Sequence, residues 1–154
     1  MVTMPRGREI PADEPVLNLK SVAPSAQKEV VRLFYKEMWD RADKSLIPVI
    51  FHQDFTFRGS LGAVLRGYEE FGAYVDWVTD ALGDYTSDIL TLVEESNRVS
   101  GRLRFHGVHR REMFGVAPTG RHVWWYGAPT FTFEGPRVRD LWVLGDVHGL
   151  IPSS

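Results

Sequence analysis

The chain has 154 residues, with 18 Lys plus Arg against 20 Asp plus Glu, five His and no Cys. That length suits one ordinary domain, and the near-balanced charge argues against a polyelectrolyte partner for the chain as a whole. The lack of Cys excludes disulfides, thiolate metal sites and Cys nucleophiles.

No apolar run approaches the ~20 residues of a membrane span, and the basic N-terminus has no apolar stretch behind it. The expectation is a cytoplasmic protein with neither a secretory signal nor a membrane partner. Residues 1–24 hold four of the nine prolines and no hydrophobic period, which reads as a flexible, extended arm ahead of a single domain over 25–154. Ser25 then has the character of an N-cap, and Val30, Leu33/Phe34 and Met38 follow at helical spacing, giving a helix over about 25–41. A shorter helix is expected from Asp43, its cap, to Phe51, with Pro48 straining it. His52 to Gly59 reads as a short strand closed by Gly59 and Gly62. Gly67 opens a third helix, about 68–82, with Phe71, Tyr74/Val75, Val78 and Leu82 on one face.

After Gly83 the period changes to two. Four β segments are expected over about 85–94, 98–111, 121–133 and 137–148, separated by turn signals at Glu95–Asn97, Ala117–Gly120 and Glu134–Pro136. Helices followed by a bent antiparallel meander define an α+β fold: N-terminal helices resting in the concave side of a strongly curved sheet. Such a cone leaves a cavity suited to a small hydrophobic molecule.

Between Arg98 and Arg139 there are eight arginines against Glu112 and Glu134. No aromatic–basic recognition motif accompanies them, so no nucleic-acid partner is expected, and Arg102 and Arg104 are read as alternating on one strand toward solvent or a partner subunit. With Trp124 and Trp142 they would form a dimer-facing surface. His106 and His109 lie three apart on a strand and so point to opposite faces, which leaves no metal site. Ser-nucleophile elbows, phosphate loops and dinucleotide fingerprints are absent.

The run Gly107-Val-His109, Phe114-Gly115 and Pro118-Thr-Gly-Arg121 resembles the G-x-H-x-x-x-x-F-G-x-x-P-T-G-R signature of the SnoaL-like polyketide cyclases, also grouped as ester cyclases. Trp142, Asp146 and Gly149-Leu150 resemble that family's closing W-x-x-x-D-x-x-G-L, and Phe34-Tyr35, Trp39 and His52-Gln-Asp54-Phe fit its opening. The resemblance implies a nuclear transport factor 2-like cone, a homodimer through the outer sheet face, and acid–base chemistry in a pocket without metal or organic cofactor. It departs at one point. The family's aldol cyclases use an Asp and a His where this chain has Val143 and Pro129, and neither can accept a proton.

Asp146, deep in an apolar stretch, is the expected base, with His109 as its partner. The alternatives are a backbone acceptor at the strand end for Asp146 and a turn strut for His109. Asp54 is read as closing a turn. Phe57, Arg58, Trp77, Trp125, Phe131, Val143 and His148 are the expected substrate contacts. The function that follows is cyclisation, isomerisation or ring rearrangement of a polyketide-like or terpenoid-like intermediate. A hydrolase or hydroxylase using a water held by Asp146, and a non-catalytic binding module, are the alternatives.

Overall fold

The structure, a computed structural model, describes residues 9–150; the outer ends of the expected arm and domain, 1–8 and 151–154, lie outside the described residues. The first helix begins where its cap predicts. Ser25 Oγ accepts from Lys28 N and also donates to Glu94 Oε1 at 2.6 Å, tying the helix start to the third strand. Such a cap contributes about 1 kcal/mol. Helix α1 (Ala26–Arg32) continues without a break as a wider, π-helical segment over Leu33–Trp39, a form that periodicity does not reveal. That segment buries Phe34, Tyr35, Met38 and Trp39 together.

A single 3₁₀ turn at Lys44–Leu46, capped by Asp43, leads into α2 (Ile47–Ile50). Pro48 stands in the first turn of α2, where its missing N–H has no helical partner to lose; the expected strain is absent. Strand β1 (Phe51–Arg58) and a three-residue β2 (Val64–Arg66) form a hairpin, and α3 (Gly67–Ala81) follows. Strands β3 (Leu82–Glu95), β4 (Arg98–His109), β5 (His122–Glu134) and β6 (Arg137–Gly145) form the expected meander, and α4 (Val147–Leu150) ends the described chain. The last strand stops at Gly145 rather than 148. A Cβ there would stand 1.9 Å from the Ser60 carbonyl oxygen, so the β1–β2 loop packs directly on this backbone.

The sheet order is β2-β1-β6-β5-β4-β3. Every pair is antiparallel except β1 and β6, which run parallel, a pairing between the two ends of the fold that no local signal announces. Irregularities in the β3–β4, β5–β6 and β1–β6 registers bend the sheet into an open cone over the helices. Its core is aromatic. Phe34 alone meets the rings of Tyr35, Trp39, Phe51, Phe71 and Phe131 at centroid distances of 4.8–6.4 Å. Among the described residues no helix is long and apolar enough to cross a membrane.

The N-terminal arm is extended but not free. Leu17 N donates to Ile89 O at 2.8 Å on the edge strand β3, and Leu17 and Leu19 pack on the core. On the outer face of the sheet, Glu14 O accepts from Arg104 at 3.4 Å and the Glu14 carboxylate accepts from Tyr126 Oη. Residues 9–24 are therefore a strap that starts outside the sheet, turns round the β3 edge and delivers the chain to α1. On this outer face Trp124 and Arg104, expected on an open or dimer-facing surface, are each only 5 % exposed, and Arg104 is held against the strap. Of that expected face, Trp142 on β6 stays open to solvent.

Candidate functional site

A cavity opens between the π-helical segment, α3, the β1–β2 loop and the inner face of the sheet. It is walled by Phe34, Tyr35, Trp39, Phe57, Ser60, Leu61, Tyr74, Val78, Tyr85, Phe105, Trp125 and Val143. The alternation of β strands brings Phe57, Phe105, Trp125 and Val143 to this face. A Cβ at residue 127 would lie 2.2 Å from Phe105 Cε2, so glycine there lets the Phe105 ring lie flat across β5. Trp125 donates through Nε1 to Ser60 Oγ at 3.1 Å, which fixes the indole against the mouth loop. The free space at the centre is about 20 Å³, enough for one water molecule. A ring-sized ligand would fit only if side chains near the mouth moved, where Ser60, Leu61 and Tyr74 are only partly buried.

The polar side-chain atoms of the wall are the indole N–H groups of Trp39 and Trp125 and four hydroxyls, one of them Ser60 Oγ. Tyr35, Tyr74 and Tyr85 contribute one each, and burial raises the pKa of all three, so they stay protonated and act as donors. Tyr35 Oη is fully enclosed and has no hydrogen-bond partner. Leaving a buried hydroxyl unpaired costs about 1–3 kcal/mol, a penalty that folding alone has no reason to carry. Asp40, at the end of the π-helical segment, is not in the wall. It accepts from Ser87 N at 2.8 Å and pairs with Lys36 at 2.6 Å, and burial raises its pKa against the pull of that lysine.

The expected site residues divide. Phe57, Trp125 and Val143 line the cavity, and Phe131 lies deeper, in the core beside Phe34 and Tyr35. Arg58 points to the outer face, donating to Val143 O at 2.6 Å with its guanidinium 5.4 Å from the centre of the Trp142 ring. Trp77 is exposed on α3 against Tyr74, and His148 is exposed in α4. Asp54 pairs with Arg139, whose hydrogen bond, and then its charge, lowers the Asp54 pKa; it does not close a turn. Asp146 stands between β6 and α4, its N–H donated to Tyr126 O at 2.8 Å, and is not a wall residue.

His109 is likewise outside the wall. Its Nδ1 accepts from Thr119 N at 3.3 Å and lies 3.1 Å from Thr119 Oγ1, while its backbone pairs with Gly120 and Arg121. The imidazole thus clasps the 110–121 loop, with the proton on a buried Nε2 that has no partner. Among the described residues no group of three or more His, Asp or Glu is arranged to hold a metal. The tyrosine hydroxyls were missed by sequence reasoning, because tyrosine at helical or alternating spacing reads as core. The available signal was that Tyr35, Tyr74 and Tyr85 all fall on inward positions and each brings a hydroxyl needing a partner.

The model of the SnoaL-like polyketide cyclase family matches residues 29–152. The chain belongs to that family. No curated protein matches it by sequence. A candidate polyketide cyclase from Acidithiobacillus ferrooxidans is 22% identical, with a TM-score of 0.73 over 84% of this chain and 94% of its own. TsrD from Streptomyces laurentii is 19% identical, with a TM-score of 0.74 over 84% and 95% of the two chains. AclR of Streptomyces galilaeus, a candidate hydroxylase, is 22% identical, with a TM-score of 0.70 over 80% and 91%. At such identities the likeness shows the fold, the nuclear transport factor 2-like cone of a SnoaL-like protein.

Proposed function

We propose that this SnoaL-like chain carries out cofactor-free acid–base chemistry, either cyclisation, isomerisation or ring rearrangement, on a small hydrophobic polyketide-like or terpenoid-like intermediate held in the cone cavity. The observation that carries the reading is Tyr35 Oη: a protonated, buried donor without a partner in a largely aromatic wall. A ketone that passes through an enolate gathers negative charge on oxygen, and a donor already in place stabilises that charge without reorganisation. In this reading Tyr35 meets the substrate oxygen and Asp146 takes the proton. His109 serves as a strut for the signature loop, since its Nδ1 is committed to Thr119. The aromatic wall excludes water that would quench the enolate.

The experiment is a panel of polyketide-like and terpenoid-like ketones, followed by chromatography for product and by fluorescence for binding. Tyr35→Phe is expected to leave the thermal midpoint unchanged or slightly raised and to lower turnover by roughly 10²–10³, the effect of losing one such donor. Full activity in Tyr35→Phe would remove the assignment.

A second reading, a non-catalytic binding module, draws on the wall itself: it contains no carboxylate and no imidazole. Tight binding without product for every ligand bound would favour it. The same proposal includes a homodimer through the uncovered part of the outer face, where Trp142, Leu144 and Val64 are exposed. A monomer in sedimentation at tens of micromolar would rule that out.

A further inference from the structure

The outer face under the strap holds a row of charged and titratable groups that the cavity chemistry does not use. Starting from β3, Asp88 Oδ2 accepts from Arg104 Nη2 at 3.0 Å and from Arg104 Nε at 3.2 Å, and lies 3.1 Å from His106 Nε2. His106 Nδ1 in turn lies 2.8 Å from His122 Nε2 on β5. Arg104 carries the row across to Glu14 O on the strap, and the Glu14 carboxylate is met by Tyr126 and, at 3.8 Å, by Arg102. Outward-facing Trp124 and Leu90 are buried on this side, apart from the main core. The strap's other described acids, Glu9 and Asp13, are exposed.

The proton count of this row follows from its partners. His106 Nε2 must carry hydrogen to donate to Asp88, so in the neutral ring Nδ1 is a lone pair that accepts from His122 Nε2–H. One added proton is accommodated, because His106 can become a cation beside Asp88 while His122 turns its lone pair toward it. A second is not. With both rings charged, both facing nitrogens carry hydrogen and the 2.8 Å contact becomes a repulsion between two cations. Partial burial and the neighbouring His106 lower the pKa of His122, against the pull of Asp88, in keeping with that cost.

We propose that the His106–His122 pair, in series with Asp88 and Arg104, is an acid-released latch: it holds residues 9–18 on the sheet near neutral pH, through the Arg104–Glu14 contact, and lets them go when both imidazoles are protonated.

Hydrogen exchange on the full chain, corrected for the intrinsic pH dependence, tests this. Strap amides around Glu14–Leu17 should lose about tenfold in protection between about pH 7.5 and 5, the range over which imidazoles gain charge. Amides of β5 around Phe131 should be unchanged. His122→Gln, whose amide can still donate to His106 but cannot become a cation, should keep the strap protected at the acid end. Asp88→Asn, which cuts the row at its other end, should expose the strap already at neutral pH. Strap protection that is flat with pH in the unaltered chain overturns the latch, as does an acid response that His122→Gln leaves intact. Should either variant fail to fold, the pH series on the unaltered chain still decides between these outcomes.

Discussion

The two faces of the sheet solve opposite problems. The inner face is crowded with rings and has few polar atoms, and three of those are buried without partners: Tyr35 Oη in the cavity wall, and Ser87 Oγ and His109 Nε2 outside it. The outer face under the strap is dense with charge, and there each group is answered: Asp88 by Arg104 and His106, His106 by His122, Glu14 by Tyr126 and Arg102. A face that serves only stability pairs its polar groups, because an orphan costs more than a pair gains. Within the cavity wall the inner face breaks that rule at Tyr35, and it is there that the proposed ligand would supply the missing partner.

Four measurements would break or sharpen the contrast. Phe34→Ala removes the ring at the centre of the inner cluster and should cost about 3–5 kcal/mol in denaturant unfolding. Arg104→Met leaves Asp88 nearly buried with one partner fewer and frees Glu14 O, so a loss of about 3 kcal/mol is expected, together with faster proteolysis in the strap. If that loss is below about 0.5 kcal/mol, the outer network is ornamental and the contrast fails. Trp142→Thr, on the part of the outer face that the strap leaves open, should change monomer stability by less than about 1 kcal/mol.

The fourth measurement is pH dependence, and its sign separates two groups. The His122 pKa is lowered in the fold, so the folded state binds fewer protons and its contribution, complete above the ordinary value of 6.5, is lost as pH falls below it. For Asp88, burial pushes the pKa up but the hydrogen bonds and charges of His106 and Arg104 pull it further down; its contribution holds above 3.8 and is lost only as pH falls below that. Stability against pH should therefore show two separate declines, and His122→Gln should remove only the upper one.

Much of the fold was legible because its signals are local. The Ser25 cap, the helical spacing through Met38, the α3 stripe and the turns at Ser96 and Gly135, both with positive φ, each act within a few residues. What escaped depends on distant chain. Strand β2 is three residues long and has no period to read, and β1 finds β6 in parallel only because the cone brings the two ends together. The strap has no hydrophobic pattern of its own; Arg104 and Ile89 hold it largely by its backbone. Within the site, period two placed Phe57, Trp125 and Val143 correctly on the cavity side, and the same reasoning carried β6 too far. It could not see that Ser60 would occupy the space beside Gly145, with the strand ending there and Asp146 left out of the cavity wall. Arg58 follows Phe57 directly and therefore had to face outward.

The parallel pairing of β1 with β6 also sets an order of events. The described strand that leaves the ribosome last is an interior strand of the finished sheet, flanked by β1 and β5. Until Arg137–Gly145 emerges, the β1–β2 hairpin has no sheet to join, and the β5 edge stands open with its backbone amides and carbonyls unpaired. The nascent chain must keep two incomplete halves apart from other chains for the time it takes to synthesise everything between them. The demand on chaperones should therefore fall late, at the insertion of one nine-residue segment that closes both gaps together.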